Sequence, residues 1–452
     1  VKFKQYSFKE LLSNIVDNRG KTCPTVDQGL PLIATNCINN NSLFPVFEKV
    51  RYVNLETYKN WFRGHPQPDD IIFVCKGSPG RVAWVKDPVG FCIAQDMVSI
   101  RADKTKVDPK YLFALLRSDN VQQKISNMHV GSLIPHFKKG DFGNLYLDIS
   151  EDMEYQRMVG EIYFNFSMKI EQNNQINQTL ESIAQAIFKS WFINFEPVRA
   201  KITAKQTGQD PEFAAMCAIS GKSEAELEQM AKEDFAELQA TAALFPDELV
   251  ETELGDVPKG WELQQLKDIA KYSSNKILLN DLNLENYIST ENMLPEKKGI
   301  EKASSLPKAN SVPAFRQGNI LVSNIRPYFK KIWFSFFDGG HSNDVLNFDV
   351  LEKGTEEYLY NLIYQDSFFD RMMASSKGSK MPRGDKKAIM DFQIIVPPIS
   401  LRCLYSAKVR SFYFYQNKLK IENQTLIDLR DTLLPRLLSG EVDLLDLHGE
   451  RD

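Results

Sequence analysis

Two stretches of the chain keep a helical period of apolar residues over many turns. From Glu154 to Phe192 there is no proline and one glycine, Gly160, and apolar residues recur at Ile162, Phe166, Ile176, Leu180, Ile183 and Ile187, with Asn173 interrupting the stripe. Near the C-terminus Phe412, Leu419, Leu426 and Leu433 fall every seven residues. At ~1.5 Å per residue a helix over 154–192 spans roughly 55–60 Å, long enough to overhang a globule. The two stripes are predicted to pack on one another as an antiparallel coiled coil, relating the halves by a pseudo-twofold axis.

Ahead of each helix the pattern shortens to β-rich runs bounded by Gly, Pro and Asp. The runs are IIFV (71–74), RVAWV (81–85) and MVSI (97–100) in the first half, and NILVS (319–323) and KIWFSFF (331–337) in the second. Helical stretches follow at PKYLFALLRS (109–118) and EEYLYNLIYQ (356–365). The fold class predicted is mixed α/β, with two globular domains.

The halves are written in the same order. Gln178-Thr179-Leu180 recurs as Gln424-Thr425-Leu426, 246 residues on, and Gly131-Ser132 lies over Gly378-Ser379 at an offset of 247. DIIFVCKGSPGRVAWV (70–85) parallels NILVSNIRPYFKKIWF (319–334). An internal repeat with these boundaries predicts a first globule over 1–153, a first long helix over 154–200 and a linker over 201–256. A second globule over 257–399, a second long helix over 400–440 and a tail over 441–452 complete the chain. The linker differs in composition, since residues 210–256 hold thirteen Asp or Glu against two Lys. It reads as an acidic helical insert that phosphates would repel.

Composition adds mainly exclusions. The formal charge of −4 is small beside 55 basic and 59 acidic residues, so local charge must decide any nucleic-acid role. Six cysteines without a CxxC pair suit reduced thiols, no run reaches the ~18–20 apolar residues of a membrane span, and a cytoplasmic location is expected. Catalytic signatures are missing as well. The one Pro-Pro, Pro397-Pro398, has no acidic or amide residue before it and no aromatic after it, and neither GxGxxG nor a Walker motif occurs. Pro68-Asp69-Asp70 and Glu296-Lys297-Lys298 lack the clustered carboxylates of a metal-dependent nuclease, and the five histidines form no ligand set. No catalytic or metal-binding residue is assigned.

Basic loops stand at equivalent places in the two halves. One pair spans 124–139, with His129, Ser132, His136, Lys138 and Lys139, and 371–387, with Lys377, Ser379, Lys380, Arg383 and Lys386. The second loop of this pair has six basic residues against one Asp. The other pair is Lys76-Gly77-Ser78-Pro79-Gly80-Arg81 and Asn324-Ile325-Arg326-Pro327-Tyr328-Phe329-Lys330. Lys and Arg neutralise phosphates, while Arg, Asn, Ser and His can address base edges; Arg326 is a candidate for guanine and Asn324 for adenine. Lys76, Ser78, Arg81, Tyr328 and Lys330 complete the candidate DNA-binding set. Because the loops share position but not sequence, a DNA site read by both would be bipartite and non-palindromic.

LESIAQAIFKSWFINFEPVRAK (180–201) resembles the central segment of type I restriction–modification specificity subunits, and LRDTLLPRLLSGEVDL (429–444) resembles the end of their second helix. AISGKSEAELEQM (218–230) and ELGDVPKGW (253–261) fit the same pattern. The resemblance implies two target recognition domains, each reading half of a split, asymmetric site, with the helices fixing the gap. It also implies two modification subunits docked on this chain, carrying S-adenosylmethionine and the adenine methyltransferase chemistry, and restriction subunits that use ATP and Mg. Phe188, Trp191, Phe192 and Phe195 crowd the end of the first helix and are expected to meet a modification subunit in part. Two other readings stand beside this one: a stand-alone methyltransferase or nuclease, and a coiled-coil scaffold that never touches DNA.

Overall fold

The computed structural model describes residues 1–452 except 19, 21, 94, 129–134, 254, 379 and 443–452. Its contacts fall into two compact units, Val1–Ile176 with Leu419–Asp452, and Asn177–Lys418. Each long helix therefore contributes one segment to each unit.

The first unit is built on a four-stranded sheet in the order Leu12–Val16, Met97–Ala102, Ile71–Val74, Val82–Trp84, antiparallel throughout. Ile71–Val74 is apolar at every position because both of its faces are buried, so alternation sends its side chains into two different cores. Ile71 and Phe73 face a core shared with Phe8, Tyr111 and Phe142, whereas Ile72 and Val74 join Ile33, Val85 and Ile93. Helices Pro109–Arg117 and Asp119–Asn127 and the first long helix line the former core. A three-stranded sheet, Arg51–Val53, Leu30–Ile33, Cys92–Ile93, lies on the other side. Phe3–Ser7 pairs with Tyr146–Ser150.

The second unit repeats this plan. Its central sheet runs Ala270–Tyr272, Val345–Val350, Ile320–Ser323, Ile332–Phe334, which is the same order of equivalent strands. Ile320 and Val322 again enter one core and Leu321 another. Helices Glu356–Tyr364 and Asp366–Ala374 follow, and Glu262–Gln265 pairs with Gln393–Val396.

One buried pair has been rewritten between the copies. Asp70, fully buried, accepts from Arg101 Nε and Nη2 at 2.8 and 3.0 Å and from Ser99 Oγ at 3.0 Å. At the matching positions Asn319 Nδ2 donates to Asp349 Oδ1 at 3.1 Å. The cross-strand bond is kept while the charge pattern changes.

The long helices are Met153–Phe188 and Ile399–Leu438. Within each unit they run antiparallel. In the first, the Tyr155 hydroxyl donates to Leu437 O at 2.6 Å, Arg430 lies 5.4 Å over the Tyr163 ring, and Asn173 meets Asn423. In the second, Gln416 Nε2 donates to Asn177 O at 2.8 Å and the Tyr405 hydroxyl to Ala184 O at 3.1 Å. The seam is not the stripe expected from the sequence. Its contacts run through buried Tyr155, Tyr163 and Asn173 in the first unit and through buried Ala184 and Phe188 in the second. Ile176 and Ile183 are 37% and 42% exposed, Ile162 and Ile187 pack only at the edges of the two cores, and Phe166 and Leu180 are half-buried. On the second helix Leu419 is buried, whereas Phe412, Leu426 and Leu433 are half-buried. Large tyrosines and hydrogen-bonded amides fill the seam, and neither registers as apolar in a periodicity count.

Beyond Phe188 come one π-helical turn, Lys189–Ile193, and helix Glu196–Thr207. Short helices Pro211–Ser220, Glu224–Glu228 and Lys232–Ala243 bury Ala215, Met216, Leu227, Leu238 and Ala242 in a small core of their own. Among the described residues no helix is long and apolar enough to cross a membrane.

Candidate nucleic-acid interface

The two basic loops of each half, far apart in sequence, are joined by backbone hydrogen bonds. In the first unit Gly77 N donates to Pro135 O at 3.0 Å and Phe137 N to Cys75 O at 2.7 Å, an isolated antiparallel bridge of Lys76 with His136. In the second, Arg326 N donates to Pro382 O at 2.8 Å, Ile325 bridges Arg383, and Arg383 and Lys377 exchange bonds at 3.0 and 3.1 Å. A buried residue anchors each second loop, Phe137 in one unit and Pro382 in the other. The result in each unit is one paired-loop surface on the rim of the central sheet.

In the first unit Lys76 is exposed and lies 3.9 Å from Asp96. Arg81, Lys138 and Lys139 are exposed, and no ion pair engages them among the described residues; Ser78 and His136 are half-buried. Gly80 O accepts from Gln122 Nε2 at 2.8 Å, which ties the loop to helix Asp119–Asn127. His129 and Ser132 lie outside the described residues, as does Ser379 in the second unit.

In the second unit Lys380 and Lys386 are exposed and carry no ion pair among the described residues. Arg383 is held by Asp344 (3.2 and 3.4 Å) and Lys377 by Asp385 (3.0 Å), and the Lys377 ammonium keeps the Asp385 carboxyl below its usual range. Lys330 shares Asp366 with Lys297, at 3.1 and 2.7 Å, and Lys297 above all lowers the Asp366 pKa. Tyr328 is exposed, on the turn Pro327–Phe329 between left-handed Arg326 (φ 50°) and Lys330 (φ 50°).

Two expectations are corrected. Asn324 is 5% exposed and its Nδ2 donates to Gly384 O at 3.2 Å, so its side chain is a strut beneath the loop and not a reader of adenine. Phe188, Trp191, Phe192 and Phe195 are also buried, against Tyr358, Tyr405, Phe245 and Trp261 of their own unit. They leave little surface for a partner, because the aromatic richness at that helix end fills the second core.

Two acidic residues escaped sequence reading. Asp96 and Asp344 stand at the same place in the repeat, just before strands Met97–Ala102 and Val345–Val350. Asp96 O accepts from Cys75 N and Lys76 N at 2.8 and 3.2 Å, and Asp344 O from Asn324 N at 2.8 Å. Their carboxylates face Lys76 and Arg383. The signal available was the shared Asp ahead of two equivalent strands. Among the described residues no group of three or more His, Cys, Asp or Glu could hold a metal ion.

The family model for the type I restriction modification DNA specificity domain matches residues 10–182. The chain is 30% identical over 399 residues to the Type I restriction enzyme HindI specificity subunit of Haemophilus influenzae, covering 80% of this chain and 84% of that one. It is 22% identical over 395 residues to the MjaIX specificity subunit of Methanocaldococcus jannaschii, covering 83% and 78%. In fold it is similar to the type I restriction–modification S subunit from M. genitalium, with a TM-score of 0.54 over 97% of this chain and 96% of that one at 14% identity. The chain thus belongs to the specificity subunits of type I restriction–modification enzymes, the non-catalytic component through which the complex recognises DNA.

Proposed function

We propose that the chain reads a bipartite, asymmetric DNA site, one half through each paired-loop surface. The observation that carries this is one loop architecture, closed by equivalent backbone bonds, presenting different side chains in the two units. Lys76, Arg81, Lys138 and Lys139 in one unit and Lys377, Lys380, Arg383 and Lys386 in the other supply phosphate contacts; Ser78, His136, Arg326, Tyr328 and Lys330 are the candidates for directional contacts. Arg383, Lys377 and Lys330 would exchange an intramolecular carboxylate for DNA. That exchange lowers net affinity but disfavours non-specific binding.

Two modification subunits docking on the chain are part of the same proposal, with the cofactor chemistry carried by the partner subunits. Surface for them is available on the outer faces of the long helices, at Ile176, Ile421 and Leu429 in the first unit and Ile183 and Phe414 in the second. Methylation mapping of a genome from cells expressing this chain with a modification subunit tests the reading. One split, asymmetric motif with methyladenine in both halves, lost when the chain is deleted, is the expected result. No motif, or a motif that persists without the chain, overturns it.

A further inference from the structure

The turn Pro327–Phe329 carries two exposed aromatic rings that join none of the hydrophobic cores among the described residues. Tyr328 is 48% and Phe329 36% exposed, with ring centroids 4.7 Å apart. Large apolar side chains at the tip of a loop contribute nothing to the core and cost solubility. The turn that holds them is well tied. Arg326 N bonds Pro382 O on one side, Glu296 N bonds Phe329 O (2.8 Å) and Lys297 N bonds Lys330 O (3.0 Å) on the other, and Pro327 is buried beneath. Arg326 and Lys330 both sit in the left-handed region without being glycine, a conformation that persists only where the surroundings impose it. The adjoining loop adds Met381, 45% exposed and next to the Pro382 that receives the Arg326 bond. A tied tip therefore presents Tyr and Phe between Arg326 and Lys330, with Lys331 Nζ 5.8 Å from the Phe329 ring, and the loop bonded to it carries Met381 between Lys380 and Pro382.

Tyr, Phe and Met framed by cations is the chemistry of a side-chain wedge. Apolar groups enter a base step and unstack it, while neighbouring cations hold the phosphates on either side. The matching 76–81 loop of the first unit has Gly77-Ser78-Pro79 at its tip and no aromatic.

Building on the proposed DNA reading, we infer that Tyr328, Phe329 and Met381 form a wedge that opens a base step in the half-site read by the second unit. Part of that half-site's specificity then comes from how readily the step deforms, and pyrimidine–purine steps are favoured there.

The test uses this chain assembled with its modification subunits on DNA carrying the mapped site. 2-Aminopurine is placed one position at a time in the second half-site, away from the methylated adenine, and end-to-end energy transfer reports bending. The expected result is one bright internal position and a bent duplex for the parent protein. Tyr328→Ser/Phe329→Ser should lose both and bind the site on the order of tenfold more weakly, as expected for lost base–aromatic stacking. A nick or single mismatch at the bright step should tighten the parent complex but not the variant. A bound, unbent complex with no bright position, or a double variant that keeps brightness and bend, overturns the wedge alone. A parent complex that binds no specific DNA overturns the wedge and the DNA reading together. Since both rings are exposed, thermal denaturation of the variant should match the parent.

Discussion

The side-chain amide of Asn173 donates to Asn423 Oδ1 at 2.8 Å, with both residues buried between the long helices. Asn423 Nδ2 donates in turn to Asn174 Oδ1 at 2.9 Å, and Asn173 Nδ2 also reaches Glu422 Oε2 at 3.2 Å. Among the described residues Asn173 Oδ1 has no partner. Such a pair is costly to break and cheap to replace whole. Asn173→Ala should destabilise the chain by about 1–3 kcal/mol, while Asn173→Leu with Asn423→Leu should be neutral or stabilising in denaturant titrations. A double variant as unstable as the single one would contradict this.

The Asp70–Arg101 pair makes a sharper demand on the first sheet. Arg101→Ala would leave a buried carboxylate with Ser99 Oγ and Gln67 N as its donors among the described residues. The expected loss is about 3 kcal/mol, the lower end for breaking a buried pair because Arg101 is partly exposed. Asn319→Ala, which breaks the matching bond in the second unit, should cost less; equal losses in chemical denaturation would show that charge burial is not the difference.

Trp191 tests the corrected role of the aromatic cluster. Trp191→Ala should destabilise by about 3–5 kcal/mol through loss of core packing. Once corrected for the folded fraction, affinity for modification subunits measured by calorimetry should be unchanged. A folded variant that fails to assemble would restore the docking role.

Salt dependence separates free from tethered cations. Lys380→Ala should weaken DNA binding across all sequences and reduce the slope of log K against log salt by about one phosphate contact. Asp344→Asn, which releases Arg383, should tighten non-specific binding. If Asp344→Asn leaves non-specific affinity unchanged, the tether carries no energetic weight.

His341 makes stability depend on acid. Burial lowers its pKa below the ordinary 6.5, and its Nδ1 is 2.9 Å from Ser342 O. The folded state binds fewer protons than the unfolded one, so the contribution of His341 is present above pH 6.5 and is lost as pH falls through the lowered value. His341→Gln should flatten the decline in stability below pH 6.5. An unchanged pH profile would assign the decline elsewhere, for example to His65, whose pKa burial also lowers.

Sequence reading succeeded where information is local. Strands Ile71–Val74, Met97–Ala102 and Ile320–Ser323 lie in the runs read as β-rich, because short apolar stretches such as Ile71–Val74 and Ile320–Val322 can send alternate side chains into two cores at once. The duplicated order was readable because each half rebuilds its sheet from its own residues. The basic loops were visible from composition, and so was the absence of Walker and dinucleotide motifs.

Tertiary structure decided everything that depends on which distant residues meet. Tyr163 and Asn173 serve a seam only because Arg430 and Asn423 face them, so the more apolar Ile176 and Ile183 are left outside. Asn324 looks like a reader until Gly384 O, sixty positions on, claims its amide. The two basic loops of each unit become one surface through bonds such as Gly77 to Pro135 and Arg326 to Pro382. Periodicity reports which residues avoid water, a property each carries alone. Hydrogen-bond partners and seam choice depend on pairs, and pairs exist only once the chain has closed on itself.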